Sequence, residues 1–199
     1  MRIVKVENAS IIKVLDTLQN GGIIVYPTET LYGIGVKYDL KEVLKKVYEI
    51  KKRPHEKAFP LIADLKHLEL VAEFIPYVAQ KLIEKYWPGP LTLLLPAKNN
   101  LPEEITRDGK VAVRMPGKSF ALNLIQASTF PITATSANIS GYKSADNIDD
   151  VLKYFKNEEI ELIIDGGKLS GIPSTIVDVT VEPPEIIRKG AIQPDLSLH

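Results

Sequence analysis

The chain has 199 residues, and its 25 Lys and Arg balance its 25 Asp and Glu, so the formal net charge is zero. This balance argues against a general nucleic-acid coat protein, which would be strongly basic, although it leaves room for a local basic patch. The absence of cysteine excludes disulfides, thiolate nucleophiles and Cys-ligated zinc, and the lack of any apolar stretch near the roughly 20 residues of a membrane span leads us to expect a soluble cytoplasmic protein.

Short runs with the character of β-strands recur along the chain. They are IVKV (3–6), IIVY (23–26), LTLLL (91–95), VAVRM (111–115), PITAT (131–135), ELIID (161–165), STIVDV (174–179) and EIIR (185–188). Helical patterns lie between several of them, at 10–20, 39–52, 76–86, 119–127 and 147–155. In the clearest of these helices, Asp39 is predicted to cap the first turn and Pro54 to stop the helix.

The strands and helices interleave without strict βαβ regularity. We therefore predict an α/β fold in which helices flank a mixed sheet, rather than a Rossmann fold. No stretch has the composition of a linker. We therefore expect a single domain over residues 1–192, which would carry any catalytic site, and a short loose tail over residues 193–199.

Two polar stretches in the N-terminal half of the chain are candidates for a ligand-binding site. YPTETLYGIG (26–35) ends an apolar strand in hydroxyls, a carboxylate and glycines, and both a polar turn and a ligand site remain open for it. KKRPHEK (51–57) places cations at the end of a helix. Compensation of the helix dipole and binding of a polyphosphate are both compatible with that cluster.

Further polar residues stand at strand ends in the second half of the chain. Arg114 lies late in the apolar strand VAVRM, where a charge needs an anionic ligand or an internal carboxylate as partner. TSANISG (135–141) follows a strand and could form either a hydrogen-bonding pocket wall or an ordinary Asx or Ser turn. Ser174 begins a later strand and Arg188 ends another.

A covalent nucleophile or a metal centre is not indicated by the sequence. The histidines, His55, His67 and His199, lack metal-ligand spacing, and no G-x-S-x-G elbow is present. Hydroxyls, amides and cations without a nucleophile suit chemistry done by positioning and charge stabilisation, of which phosphoryl or nucleotidyl transfer is the main example. The residues alone therefore predict an anion or nucleotide site and leave the reaction open.

The order of these motifs between about residue 10 and residue 191 resembles that of the YrdC/Sua5 family, the threonylcarbamoyl-AMP synthases. The motifs are YPTETLYGIG, KKRP, PGPLT, VRMP, TSANISG, PSTIVD and IRKG. The resemblance implies an open, twisted, mixed α/β sheet and the formation of threonylcarbamoyl-AMP and pyrophosphate from L-threonine, bicarbonate and ATP. Another complex would then transfer the threonylcarbamoyl group to adenosine 37 of tRNA. The resemblance also implies Mg²⁺ carried with ATP, and it leaves a monovalent cation requirement and direct tRNA binding open.

The resemblance further implies which residues bind each substrate. The expected L-threonine side comprises Thr30, Arg114, Ala134 and Ser174, with the backbone around Ala134 also bordering the nucleotide. The expected ATP side comprises Lys51, Arg53, Lys57, Ser136, Asn138, Ser144 and Arg188. Among these, Lys51 and Arg53 are the expected catalytic residues.

Two departures and two alternatives accompany this interpretation. Lys110 stands where many members of that family carry a hydroxyl residue, and FPLIAD (59–64) lacks a histidine that many of them carry. One alternative is an RNA-binding module, against which the zero net charge and the lack of interleaved exposed aromatics weigh. The other is a carbamoyl-adenylate-forming domain like that of hydrogenase maturation proteins, whose zinc-finger and acylphosphatase segments do not occur here.

Overall fold

The computed structural model describes residues 1–54 and 56–197. The helices are α1 (Ile11–Gln19), α2 (Lys41–Lys51), α3 (Leu68–Val71), α4 (Tyr77–Tyr86), α5 (Phe120–Ala127) and α6 (Ile148–Phe155). The strands are β1 (Arg2–Lys5), β2 (Ile24–Pro27), β3 (Tyr32–Gly35), β4 (Leu61–Ile62), β5 (Leu91–Pro96), β6 (Thr106–Arg107), β7 (Lys110–Arg114), β8 (Ile132–Thr133), β9 (Thr135–Ser136), β10 (Leu162–Asp165), β11 (Thr175–Asp178) and β12 (Glu185–Arg188). The predicted α/β class is confirmed, and each strand and helix expected from the sequence has a counterpart.

The strands divide into two mixed sheets. One sheet has the order β1-β10-β2-β3-β9, and the other has the order β12-β11-β5-β7-β4-β8, with β6 paired to β7. Strand β8 belongs to the second sheet and β9 to the first, so Ala134 is the single residue between them. Its backbone N–H donates to the Pro60 carbonyl at 2.7 Å, which ties this crossing point to the start of β4.

Apolar side chains from both sheets and the helices form the core. On α2, Leu44 and Val47 are fully buried, as the 3.6-residue period predicts. On β5, Leu91, Leu93 and Leu95 are fully buried on one face of the strand. Full burial of one such side chain contributes about 1.5–3 kcal/mol, so this alternation fixes which face of β5 points away from the core. None of the described helices is long and apolar enough to cross a membrane.

The predicted cap of α2 is wrong. Leu40 occupies the N-cap position without a side-chain hydrogen bond, and Asp39 instead pairs with Lys37 at 3.1 Å. The helix ends at Lys51, and Lys52 adopts the left-handed conformation with a φ of 48°. The helix therefore stops before Pro54 is reached.

The glycines of YPTETLYGIG lie in strand β3, which pairs antiparallel with β2. A Cβ on Gly35 would lie 2.7 Å from Cε1 of Tyr26, so this glycine is required by close packing of the tyrosine ring. These glycines therefore belong to a strand and not to a turn. The turn lies earlier, between β2 and β3, and contains Thr28 and Thr30.

The C-terminal segment is docked rather than loose as far as Ser197. Pro194 is buried, and Leu196 packs against the core. The backbone N–H of Asp195 donates to the Tyr86 hydroxyl at 2.9 Å, and its carboxylate lies 3.6 Å from Lys85. Residues 198 and 199 of the expected tail lie outside the described residues, as does His55.

Candidate functional site

A cavity of about 490 Å³ opens on the face of the larger sheet that points away from its leucine core. Alternate residues of three strands line it, namely Thr92 and Leu94 on β5, Lys110, Ala112 and Arg114 on β7, and Ile176 and Asp178 on β11. Their immediate neighbours, such as Leu93, Val113 and Val177, are fully buried on the opposite face. The two-residue period of the strands therefore separates a pocket floor that carries polar and charged side chains from the apolar core.

Most of the residues expected from the sequence line this cavity. They are Thr30, Arg53, Arg114, Ala134, Ser136, Ser144, Ser174 and Arg188. The chain crossing at Ala134 brings the β8–β9 segment to the same pocket as β5, β7 and β11. Lys51, Lys57 and Asn138 are not among the lining residues. Binding of substrate by any of these residues stays a prediction.

One end of the cavity is organised around Arg114, which is only 7% exposed. Its Nη1 donates to Oε1 of Glu29 at 3.1 Å and to Oγ1 of Thr30 at 3.2 Å. The Thr30 hydroxyl lies 2.8 Å from the Thr28 hydroxyl, which in turn donates to the Leu31 carbonyl at 2.8 Å. The turn between β2 and β3 is thus both a polar turn and part of the pocket wall.

Ser174 and Arg188 complete this end from β11 and β12. The Ser174 hydroxyl lies 2.8 Å from that of Thr92, and Arg188 donates through Nε and Nη2 to the Ser174 carbonyl at 3.1 and 2.8 Å. Burial, with a smaller contribution from Arg114, lowers the pKa of Arg188. Two neighbouring guanidinium groups at one end of a pocket favour an anionic group between them.

Lys51 lies behind the pocket rather than in it. Its side chain is fully buried, and its Nζ donates to the backbone carbonyls of Ser136 and Asn138, the latter at 2.7 Å. Burial, and to a smaller extent the neighbouring Arg53, lowers the pKa of Lys51 to about 7. The buried ammonium group therefore fixes the path of the segment that carries the Ser136 hydroxyl into the pocket.

Arg53 is the cation that reaches the pocket from the end of α2. Its Nε and Nη2 donate to the carbonyls of Lys57 and Ala58 at 2.8 and 3.0 Å, and its guanidinium stacks 5.3 Å from the Phe59 ring. Burial lowers the pKa of Arg53. Lys57 is exposed and contributes its carbonyl, not its ammonium group, to this arrangement.

Several lining residues escaped the sequence analysis, among them Thr28, Thr92 and Asp178. Asp178 accepts from Lys110 at 2.6 Å and from the Thr180 hydroxyl at 2.6 Å. Burial alone would raise the pKa of Asp178, but these hydrogen bonds lower it overall. The signal that identified Arg114, a charge inside an apolar strand, applies equally to Asp178 in STIVDV. Lys110, noted as a departure from the family pattern, is its partner.

Within the described part of the chain, no group of three or more His, Asp or Glu side chains could hold a metal ion. Five cationic side chains line the cavity, namely Arg53, Arg107, Lys110, Arg114 and Arg188, against the carboxylates Asp108 and Asp178. The pocket is therefore electropositive, although the chain as a whole is neutral.

Comparison with known proteins identifies the family. The profile of the Sua5/YciO/YrdC family, described as "Telomere recombination", matches residues 16–190. The chain belongs to this family. It is 41% identical over 178 residues to the threonylcarbamoyl-AMP synthase of Pyrococcus abyssi, covering 88% of this chain and 52% of that protein. It is 34% identical over 186 residues to a putative threonylcarbamoyl-AMP synthase of Methanocaldococcus jannaschii, covering 90% and 87%.

The fold comparison agrees with this assignment. The structure of P. abyssi Sua5 complexed with L-threonine matches with a TM-score of 0.89 at 38% identity, covering 96% of this chain and 58% of that chain. The chain therefore spans about half the length of the Pyrococcus relative and nearly the whole length of the Methanocaldococcus relative. The resemblance stated from the motifs is confirmed.

Proposed function

We propose that the chain is an L-threonylcarbamoyladenylate synthase. It would form threonylcarbamoyl-AMP and pyrophosphate from L-threonine, bicarbonate and ATP, for threonylcarbamoylation of adenosine 37 in tRNA. The observation that carries the proposal is the combination, in one electropositive cavity, of Arg114 with a threonine-rich turn at one end and Arg53 with Ser136 beside the chain crossing. Relatives named threonylcarbamoyl-AMP synthase and the L-threonine complex of Sua5 support the same reaction.

The roles proposed for the side chains follow from their chemistry. Arg114 binds the threonine carboxylate, because a guanidinium group matches a carboxylate with two parallel hydrogen bonds. Thr30, Ser174 and the backbone at Ala134 orient the amino acid. The carbamate formed from threonine and bicarbonate is itself an anionic nucleophile, so the pocket needs to align it with the α-phosphorus rather than to supply a nucleophile.

The nucleotide end is proposed to bind ATP through cations and hydroxyls. Arg53 acts on the phosphates directly, and Ser136 and Ser144 border the nucleotide. Arg188 stays a predicted ATP contact, although it lies with Ser174 at the Arg114 end. Lys51 acts through the segment that it holds, because its Nζ already binds the carbonyls of Ser136 and Asn138. Lys57 and Asn138 stay predicted ATP contacts, although neither lines the cavity.

Mg²⁺ is proposed to enter with ATP and to be held largely by phosphate oxygens, where it would neutralise charge on the triphosphate. Asp178 fits this arrangement, because both of its carboxylate oxygens already accept hydrogen bonds from Lys110 or Thr180. The proposed setting is the cytoplasm, with the transferase complex and tRNA as downstream partners.

Product analysis with labelled ATP tests the proposed reaction, with threonine or bicarbonate omitted in turn. The expected products are pyrophosphate and an AMP ester, and carbon from labelled bicarbonate should appear in the adenylate. Turnover should require both threonine and bicarbonate. ADP with orthophosphate, or AMP formed equally fast without threonine, would contradict the proposal. Salt-dependent tRNA affinity without ATP turnover would favour the RNA-binding alternative, and activity with carbamoyl phosphate in place of threonine and bicarbonate would favour the carbamoyl-adenylate alternative.

A further inference from the structure

The arginines of the pocket differ in which nitrogens remain available to a ligand. Arg53 and Arg188 each donate both Nε and Nη2 to backbone carbonyls. Arg114 donates only through Nη1, and within residues 1–54 and 56–197 its Nε and Nη2 have no hydrogen-bond acceptor. Nε and Nη2 point to the same side of a guanidinium group and form the fork that binds a carboxylate with two parallel bonds. Arg114 therefore presents that fork to the cavity.

The Thr30 hydroxyl is the second acceptor of Nη1 of Arg114, at 3.2 Å. The Thr28 hydroxyl beside it accepts from the backbone N–H groups of Thr30 and Leu31, both at 3.1 Å, and lies 2.8 Å from the Leu31 carbonyl. These bonds fix the turn that carries Thr30, and either hydroxyl can donate in the 2.8 Å contact between Thr28 and Thr30. In both arrangements Nη1 of Arg114 is held between Glu29 and Thr30.

Glu29 is the other acceptor of Nη1 of Arg114, and its own environment is unfavourable. Its Oε1 accepts from Arg114, while its Oε2 is buried without a hydrogen-bond partner in the described part of the chain. Leaving a buried carboxylate oxygen unpaired lowers stability rather than raising it. A Cβ on Gly117 would lie 3.1 Å from Cγ of Glu29, so the carboxylate is closely confined at this position. Because the Glu29 carboxylate is confined and its unpaired oxygen lowers the stability of the fold, its presence points to a role in binding rather than in stability.

We propose that Glu29 is a positioning residue for the amino-acid substrate. By holding Nη1 of Arg114 against Thr30, it turns the Nε–Nη2 fork toward the substrate carboxylate. Glu29 does not line the cavity and acts through Arg114. This inference rests on the proposed function.

Three substitutions separate the position of the Glu29 oxygen from its charge. Glu29→Gln keeps an acceptor oxygen at the same reach without the charge, whereas Glu29→Asp keeps the charge but withdraws it by one methylene. Glu29→Ala removes both. The control is Glu104→Ala, because Oε2 of Glu104 is likewise buried without a partner in the described chain, and Glu104 does not line the cavity.

The measurements are calorimetric Kd for L-threonine, KM for threonine and for ATP, and thermal melting. Glu29→Ala and Glu29→Asp should raise the Kd and KM for threonine at least ~10-fold and leave the KM for ATP unchanged. Glu29→Gln should keep a Kd and KM for threonine within about 3-fold of the wild type, because its amide oxygen can still accept from Nη1 of Arg114. Glu104→Ala should bind threonine normally.

Wild-type threonine affinity in Glu29→Asp, or Glu29→Gln as impaired as Glu29→Asp, would overturn the positioning role. Failure of the wild type to bind threonine at all would instead remove the proposed function.

Discussion

The two ends of the cavity hold their cations in different ways. Arg114 is paired with the carboxylate of Glu29 and with the hydroxyl of Thr30. Arg53 and Lys51 are held by backbone carbonyls, and among the ion pairs of the described residues neither has a carboxylate partner. The charge of Arg114 is therefore compensated by Glu29, whereas Arg53 and Lys51, like Arg188 beside Arg114, have no carboxylate partner among the described residues to compensate theirs.

This difference matches the charges of the proposed substrates. A zwitterionic amino acid has no net charge, so a compensated arginine can bind its carboxylate without attracting every anion in solution. A triphosphate is strongly anionic, and uncompensated cations held by neutral dipoles suit it. Specificity at the first end thus depends on geometry, whereas affinity at the second depends on charge. Substitutions at the two ends should separate accordingly.

The largest effect is expected from Arg114→Ala. Removing this guanidinium deletes the carboxylate fork and leaves Glu29 buried without its partner, so threonine-dependent pyrophosphate release should fall at least ~100-fold. ATP binding, measured by calorimetry without threonine, should persist. Arg2→Ala, on the exposed strand β1, is the control. Equal losses of threonine and ATP binding in Arg114→Ala would break the distinction between the two ends.

Arg53→Ala should show the converse pattern. ATP binding should weaken by about 10- to 100-fold, the value expected for loss of a charge-assisted hydrogen bond, while binding of threonine alone is unchanged. Arg53→Lys should not restore ATP binding, because lysine cannot donate simultaneously to the carbonyls of Lys57 and Ala58. The measurement is the calorimetric Kd for each substrate separately. Normal ATP affinity in Arg53→Ala would contradict the assignment of Arg53 to the phosphates.

Lys51 provides a test based on pH. Its pKa is about 7 in the folded protein and close to its ordinary value of 10.5 in the unfolded chain. Between these two values the unfolded chain binds the additional proton, so the free energy of unfolding rises with pH in this window. Relative to Lys51→Met, the wild type should gain on the order of 2 kcal/mol between pH 7 and pH 9.

Chemical denaturation of both proteins across that pH range measures the difference between their free energies of unfolding. The contributions of the other titrating groups cancel in this difference because both proteins share those groups. A difference that is flat or that falls with pH would show that the ammonium group keeps an ordinary pKa despite its burial. In that case the carbonyls of Ser136 and Asn138 would stabilise the charged form enough to offset desolvation.

The sequence predicted the fold well where a periodic pattern coincided with burial. Short runs with the character of β-strands located β5, β7 and β11, and the 3.6-residue period located α2, because such runs and periods reflect burial against the core. The prediction failed where tertiary packing decides the conformation. The glycines of β3 resemble a turn in the sequence, and only the position of the Tyr26 ring explains the absence of side chains there.

The candidate site was predictable to a similar extent. Arg114 was recognisable because a charge in an apolar strand needs a partner, and the motif order located the residues of the other strands. The orientation of each group was not predictable. Lys51 and Arg53 are neighbours in the sequence, yet one lies behind the pocket and the other lines it, because Lys51 ends a buried face of α2. The pairing of Glu29 with Arg114 joins residues that are 85 positions apart.

The smallest effect is expected from Lys110→Thr, which restores the hydroxyl residue common in the family pattern. Lys110 is half-buried and lies at the opposite end of β7 from Arg114, and its ammonium group donates to Asp178 at 2.6 Å. A partly exposed ion pair contributes up to about 1 kcal/mol, so we expect the KM for ATP to change less than ~5-fold and the KM for threonine to stay constant. Asp178 keeps its hydrogen bonds from Thr180, so the fold should tolerate the change. Lys5→Thr on β1 is the matched control for a strand lysine outside the pocket. Since the hydrogen bond from Lys110 lowers the pKa of Asp178 against the effect of burial, its removal should reduce the stability that this carboxylate loses on acidification, which denaturation between pH 3 and pH 6 would detect. A change in the KM for threonine would show that the two ends of β7 are coupled, and the separation between a geometric end and an electrostatic end would then have to be abandoned.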